Sequence, residues 1–197
     1  MLVHQCPDLR ELSILTQGQD PINSIDTRIL FSGDHWPCLR SLELGNVAVG
    51  SSIDDDDRDT HPFITFLSKR NHLRTLRFSK DFTLSSTHFA RLPQDSLQNL
   101  KCFCGSVDHL SSIPSAKNLS SMEISSPMVL RDVTPLTISH ALQASPAVRS
   151  LKVSFILQSP YDRIGILRSI ATAGAQINHL DLTLSHKPSF YLVRRLD

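Results

Sequence analysis

The chain is poor in glycine, 7 of 197 residues, and in the larger aromatics, with one Trp and two Tyr. It also lacks charge of one sign: 20 basic and 19 acidic side chains leave a net charge of +1. Scarce glycine argues against turn-rich β-sandwiches and Gly-rich phosphate loops. The charge balance excludes the strongly basic footprint of a dedicated nucleic-acid binder, and equally an acidic solvating tail. No apolar run approaches the length of a transmembrane helix. Four Cys in a chain this long do not make a disulfide scaffold. The first residues, Met1-Leu2-Val3-His4-Gln5-Cys6, have no basic stretch leading into an apolar run, so no secretory signal is read. The expectation is a cytoplasmic or nuclear protein with reduced thiols at Cys6, Cys38, Cys102 and Cys104. What the chain does have is leucine, 28 residues, and their spacing carries the information.

Pro7-Asp8-Leu9-Arg10-Glu11-Leu12-Ser13-Ile14 returns as Pro37-Cys38-Leu39-Arg40-Ser41-Leu42-Glu43-Leu44, and again as Leu73-Arg74-Thr75-Leu76-Arg77-Phe78. Weaker copies follow at Leu97-Leu100-Cys102, Leu119-Met122-Ile124, Val148-Leu151-Val153 and Ile177-Leu180-Leu182. The intervals between first positions run from about 22 to about 34 residues, the range of short structural repeats with two insertions. In each copy the last two apolar residues, two apart, point to one face of a short strand. One such strand cannot bury that face alone, whereas stacked parallel copies bury a continuous core. The returning segments have helical spacing. Phe63, Ile64 and Leu67 follow Pro62 at a first helical position, and Ile138, Ala141 and Leu142 share a face within 136–144. Ile164, Leu167, Ile170 and Ala171 mark a third helix over 161–173, and the stretch 105–116 allows no more than one turn.

These repeats resemble the leucine-rich-repeat family, and the form Pro-x-Leu-Arg-x-Leu-x-Leu is most similar to the irregular repeats of fungal F-box/LRR proteins. The resemblance covers about Pro7 to Leu184. It departs in lacking the asparagine three residues after the last strand leucine, where Gln17, Val47 and Asp81 stand in the first copies. The resemblance implies an α/β solenoid forming a single domain over 1–197, with about seven short parallel strands on a concave face and helices or irregular turns on the convex face. It also implies a substrate-binding region of a ubiquitin-ligase receptor, which reaches a Skp-type adaptor only through an F-box lying outside this chain. Both ends read as uncapped. The alternative is a structural or interaction repeat protein, or a gene fragment, with no ligase role.

In that register the outward middle positions are Ser13, Glu43, Arg77, Lys101, Glu123, Lys152 and Asp181. They read either as a polar docking face for a protein partner, with Phe103 as an apolar anchor, or as a ladder that satisfies itself, Glu43 beside Arg77, Lys101 beside Glu123, Glu123 beside Lys152 and Lys152 beside Asp181. Arg10, Arg40 and Arg74, with Arg149 further along, each follow the first apolar residue of their copy; the first three form a rim for a carboxylate or phosphate, or cover the core edge with their stems. The acidic run Asp54-Asp55-Asp56-Asp57-Arg58-Asp59 lies in an insertion at 48–60. Counted from Asp54 it has Asp59 where a calcium loop needs glycine and Thr65 where it needs glutamate, so it reads as a solvated loop. Cys102 and Cys104 flank one residue rather than two and read as core residues, not zinc ligands. Trp36 reads as packed under a convex turn. No nucleophile elbow, Walker loop, dinucleotide fingerprint or His-Glu-x-x-His occurs, and no two His have helical ligand spacing. The expectation is therefore no enzyme, cofactor or metal, with no nucleic acid or membrane as partner.

Overall fold

A computed structural model describes residues 6–15, 30–31, 33, 35–45, 61–80, 82, 84–114, 116–129, 134–158 and 162–186. The acidic run 54–59 lies outside them. The strands are β1 (Glu11–Leu15), β2 (Ser41–Gly45), β3 (Thr75–Phe78), β4 (Cys102–Gly105), β5 (Ser121–Ile124), β6 (Met128–Val129), β7 (Ser150–Leu157) and β8 (His179–His186). The helices are α1 (Pro62–Ser68), α2 (Ser86–Phe89), α3 (Val107–Ser112), α4 (Thr134–Ala144) and α5 (Asp162–Ala173). Among the described residues all eight strands lie in one parallel sheet, and β1 to β5 pair in sequence order. The count exceeds the expected seven because one rung is broken. Both β5 and β6 pair with β7, and Ser125-Ser126-Pro127 interrupts them where proline cannot donate to the ladder. The architecture is α/β.

The turn before six of the strands repeats as well. The amides of Leu9, Leu39, Leu73, Leu100, Val148 and Ile177 each donate to the carbonyl three residues back, at 2.9–3.2 Å. At two of these turns a non-glycine residue adopts positive φ, Trp36 at 58° and Leu97 at 56°. That conformation costs a side-chain-bearing residue about 1–2 kcal/mol. Both residues are buried, so packing holds them there. Helix starts follow ordinary capping chemistry: His61 Nδ1 accepts from Phe63 N at 3.1 Å ahead of Pro62, and Ser85 Oγ accepts from Thr87 N. Ser106 Oγ accepts from His109 N. Because a carbonyl can only accept, the 2.7 Å contact of His109 Nε2 with Leu84 O places the ring proton on Nε2, and Nδ1 then accepts from Ser106.

The inward strand residues and the helix faces share one continuous apolar cluster running from Phe31 to Ile170. Phe63, Ile64 and Leu67 of α1 and Ile138, Ala141 and Leu142 of α4 are buried in it, as their spacing implied. The spacing for α5 placed only part of its buried face: Ile170 is buried as expected, but Ile164 and Leu167 are 67% and 45% exposed, and Ile166, outside the expected stripe, is buried. Both stripes have helical spacing, and packing against α4 decides between them.

The fourth repeat also needs correction. Thr75 pairs with Cys102, Leu76 with Phe103 and Arg77 with Cys104, so the copy runs Leu100-Phe103-Gly105, three residues later than expected. Leu97, Leu100 and Phe103 are evenly spaced by three, and either register satisfies the local pattern. Gly105 then occupies an inward slot with no side chain, and aromatic rings fill the space: a Cβ there would lie 2.7 Å from Phe103 Cζ and 3.3 Å from Phe78 Cδ2. Phe103 is thus a core residue, 2% exposed, and not a surface anchor. Lys101 leaves the middle row, and Cys104 takes its place.

Candidate functional site

On the sheet face opposite the core, strand alternation sets one residue per rung in a line: Ser13, Glu43, Arg77, Cys104, Glu123, Lys152 and Asp181. Ser13 Oγ donates to Glu43 Oε2 at 2.9 Å. Arg77 Nε lies 3.7 Å from Glu43 Oε1, and Arg77 Nη2 donates to Glu123 Oε2 at 2.8 Å. Lys152 Nζ closes on the other carboxylate oxygen at 3.0 Å. The expected pairs Glu43 with Arg77 and Glu123 with Lys152 are present, and Asp181 stands beside Lys152 in register. The expected Lys101–Glu123 pair gives way to Arg77–Glu123. A small Cys104 side chain on β4 lets Arg77 span a whole strand, about 10 Å at two rung spacings.

This arrangement sets the protonation states. Burial pushes the Glu123 carboxyl upward, but the Lys152 hydrogen bond and the Arg77 guanidinium outweigh it and hold its pKa below the usual value. Burial, with the Glu123 carboxylate beside it, pushes the Cys104 thiol up to about 11. Cys104 is therefore a neutral, buried thiol beneath the ion-pair bridge, while Cys102 on the same face is half-buried. Cys104, 7% exposed, is buried as the sequence reading implied, though neither cysteine joins the continuous apolar cluster. Among the described residues no three His, Cys, Asp or Glu side chains group as a metal site. A depression of about 270 Å³ opens over the row, lined by Glu43, Arg77, Phe78, Cys104 and Glu123 among others.

A depressed carboxyl pKa stabilises the fold above its unfolded value near 4.5, and that contribution is lost as pH falls through the folded pKa. Glu123→Gln is accordingly expected to cost about 1 kcal/mol at neutral pH, a value discounted for the partial exposure of its partners. The gap to the parent should close in acid. Urea titrations of both proteins at neutral and acid pH check this, and a gap unchanged by pH would refute it.

Arg10, Arg40 and Arg74 do come together. Each immediately precedes its strand, and the backbone ties them in series: Arg40 N donates to Arg10 O at 2.7 Å and Arg74 N to Arg40 O at 2.7 Å. Lys101 N donates to Arg74 O at 2.8 Å, which adds Lys101 to this row as its fourth member. Cys38, His72 and Asn99, from the position before each first leucine, complete a cleft of about 400 Å³ with the three arginines. Their sequence signal was that shared position, visible once the register is known. Comparison with family models, curated proteins and solved structures finds no match.

Proposed function

We propose that the chain is a non-enzymatic protein-recognition module, a leucine-rich-repeat solenoid whose strand face binds a protein partner. The observation that carries this reading is the sequence-ordered parallel ladder, in which each rung from β1 to β5 presents a register-matched outward residue. Such a surface suits a macromolecule better than a small ligand, and among the described residues of its middle row the one thiol, Cys104, is held above the usual cysteine range and not activated. In the ligase form of the proposal the chain supplies substrate binding, and an F-box beyond it supplies attachment to a Skp-type adaptor.

The test is a pull-down of purified adaptor by residues 1–197 and by the reading frame extended upstream of Met1. Capture by the extended chain alone is the expected result. Capture by residues 1–197 themselves would contradict the assignment of adaptor binding to a separate segment. An extension that lacks a helical F-box segment and captures nothing would remove the ligase role. A second reading, an interaction repeat with no ligase connection, draws support from the ion-pair row, since Glu123 is bonded on both sides within the chain itself.

A further inference from the structure

The two outward rows differ in one respect. In the middle row Arg77 and Lys152 have carboxylate partners. Among the described residues Arg10, Arg40, Arg74 and Lys101 show no side-chain ion pair, and all four are exposed. The acids beside Arg10 and Arg40 along the chain, Asp8, Glu11 and Glu43, do not line the cleft, and Lys101 continues the row just outside its lining. Four cations on adjacent rungs, unpaired among the described residues, repel one another, and the series of backbone hydrogen bonds through Arg10, Arg40 and Arg74 holds their strands together.

The spacing of the row favours one kind of anion. Adjacent rungs are about 4.8 Å apart, so Arg10 to Lys101 spans about 14 Å. An extended peptide sets alternate side chains about 7 Å apart on one face, and three alternating carboxylates also span about 14 Å. Cations spread evenly along a line match monoanions spread along a chain better than one compact dianion. Among the described residues the cleft has no aromatic side chain on which a base could stack, apart from the imidazole of His72. Its walls are exposed side chains that would enclose little of a small molecule.

We propose that Arg10, Arg40, Arg74 and Lys101 dock an extended segment of a protein partner bearing alternating Asp or Glu, laid across the N-terminal ends of β1 to β4. The inference rests on the protein-recognition reading and names the chemistry of the partner. Its test is fluorescence anisotropy of a labelled Gly-Glu-Ser-Glu-Ser-Glu-Gly peptide on the full chain at low salt. Binding is expected to weaken about tenfold in Arg40→Ala, to recover in part in Arg40→Lys, and to stay unchanged in Arg149→Ala on β7's approach. The Gln counterpart of the peptide should not bind. Circular dichroism confirms that each variant is folded. No binding by the folded parent chain, or tighter binding of a phosphoserine peptide or single-stranded oligonucleotide of equal charge, overturns the proposal. Binding that survives Arg40→Ala and fails in Arg77→Ala also overturns it, while leaving the protein-recognition reading intact.

Discussion

Phe78→Ala is expected to lower the unfolding free energy by about 3–5 kcal/mol, the usual cost of truncating a buried phenylalanine. Phe78 is the inward residue at the end of β3 and is 2% exposed. Its ring stacks on Phe82 with centroids 4.1 Å apart and meets Phe63, Phe89, Phe103 and His109 at 5.6–6.1 Å. These partners come from α1, α2, β4, α3 and the segment after β3, so the cavity left by truncation would be walled by elements that cannot all collapse inward. Urea denaturation of the two proteins measures the difference. A loss below about 1 kcal/mol would mean that the cluster relaxes freely and is not tightly packed.

Gly105→Val is expected to cost about 1–3 kcal/mol through overpacking. The new Cβ would start 2.7 Å from the Phe103 ring, and that ring is buried on every side. The more telling measurement is the double variant with Phe103→Leu, which removes the obstructing ring edge. The two changes should cost less together than the sum of each alone, by about 1 kcal/mol or more. Strict additivity would show that the ring does not occupy the glycine's slot, and with it the β4 register would fail.

The strand positions of β1 to β3 were readable because three features coincide there: a proline or turn residue, an arginine, and leucines at the strand period. The faces of α1 and α4 were readable because each offers one apolar stripe. The face of α5 was only half readable, since Ile170 shares helical spacing both with Ile164 and Leu167 and with Ile166, and only Ile166 is buried with it. At the candidate site, the Glu43–Arg77 and Glu123–Lys152 contacts follow from register alone. The Arg77–Glu123 contact does not, because it depends on how little space a cysteine takes on the strand between.

The scarcity of glycine takes on a specific meaning at Gly105. An absent side chain on β4 is the space that rings from β3 and β4 itself fill. The sequence by itself determined that the strand motif recurs and that the outward charges of successive copies nearly cancel, since both follow from laying the copies over one another. Tertiary structure alone decided that Phe103 lies inside, that Lys101 joins the arginines, and that Cys104 sits under an ion pair. Evenly spaced Leu97, Leu100 and Phe103 satisfy two registers equally. What separates those registers is volume contributed by side chains about a repeat away, and no local pattern contains that volume.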